Sequence, residues 1–335
     1  MMERRPDQKI KFSVGALLYS SALNGKLAEQ VISEKFNKPY SLAICLEDTV
    51  SDEYIEVAEK QLLETLQRIH SEYSEHRFFL PKIFIRVRSG SQLLDLYSRA
   101  GSFSEVITGF ILPKYSPKNL DEFNSAIKEV NEQKRAYSPN STPVFMMPIL
   151  ESGDLIDYST RHEVLHEIKS KLDEVSEYVL NIRVGGNDLS NGFAVRRGVD
   201  ETIYDILPIA QLLGDILTVF AREYVISGAV WEYFADQDGE WEKGLRRELK
   251  LDRLNGFVGK TVIHPRQISV VNDTLKVSQK DYEDARTILN WGDNGLQVGK
   301  SLSGERMNEV KTHRKWAEKT LLLAELYGIT RTGNE

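Results

Sequence analysis

The chain has 335 residues, of which 41% are hydrophobic and 28% are charged, and its formal net charge at pH 7 is −7. This composition is normal for a soluble globular protein, and a negative charge without a long basic run argues against nucleic acid or an anionic membrane as a partner. The length fits either two ordinary domains or one large barrel.

The sequence contains no segment that predicts secretion or membrane insertion. The N-terminal residues 1–9 have no apolar core behind them, so we expect no signal peptide. The apolar segment 207–221 is interrupted by Asp215 and is too short to span a bilayer. The single cysteine, Cys45, lies in an apolar run and excludes an internal disulfide framework. We therefore predict a cytoplasmic protein.

Short β-rich segments alternate with segments of helical spacing along most of the chain. Strands are predicted at 12–19, 41–46, 82–88, 106–112, 143–150, 178–184, 223–230 and 256–263. Helices are predicted between them at 52–70, 120–130, 164–175 and 203–220, with a loop at 139–143 and an exposed insertion at 236–243. This alternation predicts parallel βαβ units, and eight strands are the number that closes a (β/α)₈ TIM barrel. An open doubly wound sheet is the second choice.

The region after the eighth strand exceeds what a barrel needs. It predicts a helix at 281–291, a polar Gly/Ser-rich stretch at 292–305 and a final helix at 308–326. We predict a catalytic TIM-barrel domain at 1–290 and a C-terminal extension at 291–335, which caps the barrel or contacts a neighbouring subunit.

Polar residues stand at the carboxyl ends of the predicted strands. They are Glu47, Asp48, Arg86, Arg88, Lys114, Glu151, Asn187, Asp188 and His264. The carboxyl ends of parallel strands share one face, and TIM barrels hold their active sites there. Acids that arrive at one rim from three strands are costly unless a charge neutralises them. A hard cation with oxygen ligands does so, and no cysteine or histidine set competes for that role.

These residues predict a divalent cation held by Glu151 and Asp188. The Gly185-Gly186 pair before Asp188 lets the backbone turn sharply and approach a ligand closely. Arg86 is suited to clamp a substrate carboxylate by a two-pronged hydrogen bond. For each residue alone a structural salt bridge is an equally good explanation, so the joint pattern carries the prediction.

Six motifs, in order between about residue 40 and residue 290, resemble those of the HpcH/HpaI aldolase and citrate lyase β-subunit superfamily. They are Leu46–Val50, Ile85–Arg88, Leu112–Lys114, Ile149–Ser152, Gly186–Leu189 and Gly259–Ile268. The last one, which matches G-K-x-x-I-H-P-x-Q-I, is the most specific. The departures from the family pattern resemble a divergent branch of C–C bond lyases.

The resemblance implies a TIM-barrel enzyme that makes or breaks a C–C bond beside a carbonyl, with Mg²⁺ and an enolate intermediate. The implied substrate is a β-hydroxy acid, a β-hydroxyacyl ester or a 2-oxo acid adduct, and we expect a homo-oligomer, a trimer or hexamer. The implied roles are metal binding by Glu151 and Asp188, substrate binding by Arg86, orientation of metal-bound water by Glu47 and Asp48, and support by Lys114 and His264.

The departures concern the substrate. Coenzyme A-dependent members begin with an R-S-x-L-F-V-P-G strand, whereas this chain has Lys11–Ala22 without the arginine or the Pro-Gly turn, which argues against a CoA ester. Asn187 replaces the acid before the metal-binding aspartate, and segments 190–197 and 308–317 are atypical. Arg196 and Arg197 are suited to grip a phosphate or carboxylate, but a solvated loop explains them better.

Four other interpretations fit parts of the sequence. A Schiff-base aldolase would use Lys114, and a non-catalytic barrel would serve as a binding or scaffold subunit. His162–His166 matches the H-E-x-x-H zinc motif, but both histidines face away from the apolar side of their helix, which indicates a false positive. Gly295–Ser301 is one residue short of a P-loop. In the extension, His313 or Glu309 is predicted to close a neighbour's active site.

Overall fold

The computed structural model describes residues 6–292 and 295–330, and its main feature is a nearly closed barrel of eight parallel strands. The strands are β1 (Ala16–Ser21), β2 (Ser41–Cys45), β3 (Lys82–Arg86), β4 (Ile107–Leu112), β5 (Phe145–Leu150), β6 (Ile182–Val184), β7 (Ile226–Ser227) and β8 (Lys260–Val262). The sheet runs from β7 through β1 to β8. Gly228 N–H donates to the Gly259 carbonyl at 3.1 Å, which brings β8 back to β7.

Helices connect the strands and continue past the barrel. They are α1 (Pro6–Phe12), α2 (Leu27–Ile32), α3 (Ile55–Glu75), α4 (Gly90–Ala100), α5 (Leu120–Tyr137), α6 (Arg161–Asp173), α7 (Gly186–Gly192), α8 (Leu207–Phe220), α9 (Glu240–Asn255), α10 (Arg266–Leu275), α11 (Gln279–Leu289) and α12 (Val310–Tyr327). In the part of the chain that the structure describes, four short strands follow β8, namely β9 (Val277–Ser278), β10 (Val298–Lys300), β11 (Met307–Glu309) and β12 (Ile329–Thr330).

The barrel strands are buried on both faces, as parallel strands covered by helices must be. All five residues of β2 and all six of β5 are buried. Among the outer helices, α3 buries Ala58, Leu62, Leu66 and Ile69, which recur at spacings of three and four residues along one face. The residues whose periodicity predicted this helix therefore form the face that packs on the sheet.

The predicted TIM barrel and all eight of its strands are confirmed, with shifts at their ends. The first strand begins at Ala16 rather than at residue 12, because Pro6–Phe12 form a helix. The prediction of an exposed insertion at 236–243 is wrong in its second half, since α9 begins at Glu240 and Trp241 is buried. Asp236 accepts the N–H groups of both residues and so fixes the start of that helix.

A fully buried ion network attaches α9 to β8. Lys260 Nζ lies 2.8 Å from Glu248 Oε1 and 2.7 Å from Asp252 Oδ2. Arg197 Nε lies 3.3 Å from Glu248 Oε2, so Arg197 is buried and committed to a carboxylate, and its assignment to a solvated loop is wrong. Arg196 does lie in solvent, with its side chain 75% exposed.

We expect Lys260→Met to lower the free energy of unfolding by about 3–5 kcal/mol, because it leaves Glu248 and Asp252 as buried acids without their shared cation. Urea unfolding followed by circular dichroism measures the change. The control is Lys60→Met on the solvent face of α3, where the lysine side chain is 77% exposed and 4.0 Å from Glu64. Equal effects of the two substitutions would contradict a structural role for the buried network.

By contact density the chain divides into two compact units, residues 14–271 and residues 1–13 with 272–335. In the second unit, Ala285 and Ile288 of α11 pack against Ala317 of α12, and Tyr327 donates a hydrogen bond of 2.6 Å to the Phe12 carbonyl. The boundary predicted at residue 290 separates a catalytic domain from a C-terminal extension, and this assignment of roles stays a prediction. Parts of the predicted segments at residues 1–9, 292–305 and 291–335 lie outside the described residues.

Among the residues that the structure describes, no helix is both long enough and apolar enough to cross a membrane.

Candidate active site

Arg86 forms the centre of an ion cluster at the carboxyl ends of β2, β3 and β5. Its Nη2 lies 2.9 Å from Glu47 Oε2 and 3.1 Å from Glu151 Oε1, and its Nη1 lies 2.9 Å from Asp48 Oδ2. Arg86 is buried at the last position of β3, beside Cys45 of β2 and Ile111 of β4. Burial opposes the charge of Arg86, but Tyr19, Glu151 and Glu47 outweigh it and raise the pKa of the guanidinium.

Lys114 follows β4 and binds the same acids. Its Nζ lies 2.5 Å from Glu47 Oε1 and 3.3 Å from Asp48 Oδ1, and its backbone N–H donates to Glu151 Oε1 at 3.1 Å. Burial opposes the charge of Lys114, but its hydrogen bonds to Glu47 and Asp48 outweigh it and raise the pKa of the amine. Lys114 is therefore an ammonium ion at neutral pH.

Asp48 is held as an anion within this cluster. Burial opposes its ionisation, but the hydrogen bond with Glu47 and the charges of Arg86 and Lys114 outweigh burial and lower the pKa of Asp48. The carboxylate is nevertheless half exposed, so it faces the space above the barrel. The Asp48 side chain is thus charged, oriented and accessible to a ligand.

Arg88 shapes the loop that presents these acids. Its guanidinium donates to the Leu46 carbonyl at 2.7 Å and also to the Val50 carbonyl, and it pairs with Asp52. All three partners belong to the segment around Glu47 and Asp48, so Arg88 holds the loop and does not join the central cluster.

Glu151 directly follows β5 in a buried position beside the β6–α7 turn. Burial raises the pKa of Glu151 to about 7, and Asp188 and Glu47 add to the increase against the opposing effects of Arg86 and the Lys114 N–H. Only Oε1 of Glu151 accepts a hydrogen bond from the described residues. The other oxygen faces Gly185, where an added Cβ would lie 1.9 Å from Oε2.

The charges in this site favour a divalent cation. Glu47, Asp48, Glu151 and Asp188 are four acids, whereas Arg86 and Lys114 supply two positive charges, which leaves two negative charges if all are ionised. Glu151 Oε2 offers an oxygen without a hydrogen bond, next to the turn that carries Asp188. These residues therefore fit Mg²⁺ or Mn²⁺, which takes one or two carboxylates and completes its shell with water and substrate oxygens.

In the described part of the chain no group of three or more His, Cys, Asp and Glu residues is arranged to hold a metal ion. A site built on Glu151 and Asp188 has two protein ligands and is outside that pattern. The finding bears directly on His162 and His166, which line an outer groove between α6 and α8 with Asp173 and Asp215. The interpretation of the H-E-x-x-H match as a false positive stays a prediction.

The specific motif at the eighth strand has a structural explanation. Gln267 is buried, its Oε1 accepts the N–H groups of Ile263 and His264 at 2.8 and 3.1 Å, and its Nε2 donates to the Trp231 and Tyr233 carbonyls. The glutamine thus fastens the end of β8 to the loop after β7. His264 stacks on Phe234 with ring centroids 4.7 Å apart, and no hydrogen bond or ion pair within the described part of the chain joins it to the Arg86 cluster. Asn187 is exposed.

The structure adds two polar residues that the sequence did not single out. Arg183 on β6 is 1% exposed, and Tyr19 on β1 is close enough to both Arg86 and Arg183 for each guanidinium to affect its pKa. Burial raises the pKa of Tyr19 to about 12, against the opposing effect of the two arginines, so the phenol is neutral at pH 7. A charged residue within a buried strand was the available signal for Arg183.

Comparison with known proteins agrees with this fold. The sequence model of the family described as C-C bond lyase of the TIM-barrel fold matches residues 8–329. The chain therefore belongs to this family and is a C–C bond lyase. The comparison with curated proteins found no match.

Solved structures with the same fold include CitE of Mycobacterium tuberculosis in complex with magnesium, acetoacetate and coenzyme A. It is 17% identical, with a TM-score of 0.60 over 94% of this chain and 99% of that one. The citrate lyase β subunit of M. tuberculosis with oxaloacetate and magnesium is 17% identical, with a TM-score of 0.51 over 79% and 98%. RipC from Yersinia pestis is 15% identical, with a TM-score of 0.51 over 79% and 95%. At these identities the likeness is one of fold.

We expect Gly185→Ala to weaken Mg²⁺ binding by about 10–100-fold, because the new methyl group displaces the Glu151 carboxylate. Isothermal titration with MgCl₂ measures the effect. The matched control is Gly153→Ala, two residues after Glu151, where an added Cβ meets nothing within 4 Å. If the alanine at 185 left Mg²⁺ affinity at the level of the control, Glu151 Oε2 would not be part of the site.

Proposed function

We propose that this protein is a Mg²⁺-dependent C–C bond lyase or aldolase that acts through an enolate on a β-hydroxy acid, a β-hydroxyacyl ester or a 2-oxo acid adduct. The observation that carries the proposal is the excess of acids at the carboxyl end of the barrel. Two cations face four acids there, and the buried Glu151 has an oxygen without a hydrogen bond beside the turn that carries Asp188.

Glu151 and Asp188 would hold the metal ion in this proposal. When bound, the ion supplies a Lewis acid that stabilises negative charge on a carbonyl or enolate oxygen. The neighbouring residues would define the position of the ion, because the Lys114 N–H and Arg86 bind Oε1 of Glu151 and leave Oε2 open.

Arg86 would bind the substrate as well as order the acids. Both of its Nη atoms contact carboxylates, while its Nε is buried without a hydrogen-bond partner in the described residues. A buried donor without a partner is costly, and a substrate oxygen would satisfy it. Glu47 and Asp48, held by Arg86 and Lys114, would orient water at the metal.

The structural neighbours support the chemical class of the substrate. The CitE structures contain magnesium with acetoacetate or pyruvate, and the citrate lyase β subunit contains magnesium with oxaloacetate. One of them also contains coenzyme A. For this chain we propose a small carboxylate without coenzyme A, because the segment around β1 lacks the arginine and the Pro-Gly turn of coenzyme A-dependent members.

A Schiff-base aldolase is the second candidate, because Lys114 stands at a strand end beside the site. Its nucleophile must be a neutral amine. The carboxylates of Glu47 and Asp48 raise the pKa of Lys114 and keep it protonated, which disfavours that role. A non-catalytic scaffold is the third candidate, but it gives no reason to keep an excess of acids in the barrel mouth.

We expect Glu151→Gln and Asp188→Asn each to abolish measurable Mg²⁺ binding, since each removes one of two charged ligands. Isothermal titration with MgCl₂ on the folded variants tests this. Glu163→Gln, an acid on α6 within the H-E-x-x-H segment, is the control and should bind as the unchanged protein does. Normal binding by both site variants would falsify the metal site and favour the scaffold.

The Schiff-base alternative makes an opposite prediction for covalent trapping. We expect no adduct when the protein is mixed with pyruvate and sodium borohydride, because Lys114 stays protonated. Intact-mass spectrometry followed by peptide mapping detects such an adduct. A pyruvate-derived mass on Lys114, absent in Lys114→Met, would establish the alternative in place of the metal mechanism.

We also propose a homo-oligomeric, cytoplasmic enzyme in which His313 or Glu309 reaches a neighbour's site. Both residues stand at the polar start of α12, where Glu309 N–H donates to His313 Nδ1 at 3.0 Å. Light scattering gives the oligomeric state. Substitution of both residues by alanine should lower activity without changing that state, and full activity would show that they only cap the helix.

A further inference from the structure

Arg183 is a buried cation without a matching anion. It is 1% exposed, and no carboxylate among the described residues lies within ion-pair distance of its guanidinium. Its partners are neutral, namely Thr261 Oγ1 at 2.6 Å and Asn181 Oδ1 at 3.5 Å. Its Nε and the Asn181 Nδ2 are buried donors with no partner in the described structure. Such an arrangement is costly to the fold, because buried charges are normally paired.

The Tyr19 phenol does not supply the missing charge. Burial raises its pKa to about 12, so it is neutral at pH 7. Burial also lowers the pKa of Arg183 to about 10, against the opposing effect of Tyr19, so the guanidinium is still charged at pH 7. The other buried arginines of the barrel unit, Arg86, Arg161 and Arg197, each have a carboxylate partner.

Arg183 lies close to the proposed metal site. It pairs with Ile149 across β5 and β6, so it stands one strand away from Glu151 and two residues deeper in the barrel. The spacing of strands and residues in a sheet places the two Cα atoms about 8 Å apart. Thr261, whose Oγ1 lies 2.6 Å from Arg183 Nη2, and Tyr19 are both partly exposed.

We infer that Arg183 and Thr261 form a second anion-binding subsite that takes a carboxylate of the substrate remote from the group at Arg86 and the metal. The inference rests on the proposed function, because that function places the rest of the substrate at Arg86 and the metal. It narrows the substrate to a β-hydroxy acid with two carboxylates. Arg183 is then a specificity-determining residue, because a substrate without the second carboxylate leaves its charge buried and unpaired.

A matched pair of probes tests this subsite. L-Malate is a β-hydroxy acid with two carboxylates, and β-hydroxybutyrate of the same configuration has a methyl group in place of one of them. Binding of each to the full chain is measured by isothermal titration with and without Mg²⁺. We expect malate to bind more tightly by about 10–100-fold, which is the usual effect of a charged hydrogen-bonded pair.

Arg183→Met should remove this preference by weakening the binding of malate alone, and it should leave Mg²⁺ binding unchanged. Arg183→Lys should keep part of the preference because it keeps the charge. Arg196→Met, which removes an exposed arginine from the atypical loop, is the control and should keep the full preference. Because Arg183→Met also removes an unpaired buried charge, we expect it to unfold at the same or a higher urea concentration.

Four outcomes would overturn the inference. The first is that the unchanged protein binds neither probe, or binds both with equal affinity, and the second is that Arg183→Met weakens the binding of both probes to the same extent. The third is that Arg183→Met unfolds at a lower urea concentration but still prefers malate. The fourth is that the protein binds inorganic phosphate through Arg183 but does not bind malate. If Arg183→Met abolishes the preference while Glu151→Gln leaves Mg²⁺ binding intact, the subsite stands and the proposed metal function fails.

Discussion

The Arg86 guanidinium is the interaction on which the rest of the site depends. It binds acids from the loop after β2 and from the end of β5, and Lys114 after β4 binds two of the same acids. Four neighbouring strands are therefore joined at their carboxyl ends by one set of charges. Removing Arg86 would leave buried Glu151 and the nearby Glu47 without their central cation, so the acids could not stay at these distances.

The same charge balance separates binding roles from structural ones. Arg88 and Lys260 are as polar as the cluster residues, yet their partners hold a loop and a helix. Arg86 and Arg183 differ from these two residues because each keeps a buried Nε without a hydrogen bond in the described structure. The Nε of Arg197 also lacks a hydrogen bond, but it lies 3.3 Å from Glu248 Oε2. Donors that the fold leaves without partners are the ones available to a substrate.

Much of this arrangement could be predicted from the sequence. Alternating strands and helices gave the barrel, and acids and bases at successive strand ends led to Glu47, Asp48, Arg86, Lys114 and Glu151, which the structure brings into one cluster. The predicted start of the first strand was wrong, because the mixture of apolar and polar residues in Pro6–Phe12 also suits a short helix.

Other features have little or no local signature in the sequence, and the charge of Arg183 within an apolar strand does not reveal its partners. Arg183 lies on a strand of only three residues, too short for a periodic pattern, and its lack of an anion follows from strands that are distant along the chain. His264 was placed in the supporting shell on the strength of its motif, but the hydrogen bonds of Gln267 give that motif a structural role. Both facts depend on tertiary contacts that no single segment contains.

Gly185 gives the site a mechanical property. Gly185 lies against Glu151, and Asp188 follows it by three residues in the first turn of α7. One short segment therefore sets the separation of the two acids. A side chain at 185 would push them apart, whereas the exposed Asn187 in the same turn is free of that constraint. A substitution at Asn187 would therefore change a side chain that faces solvent, whereas one at Gly185 would change the spacing of the two acids.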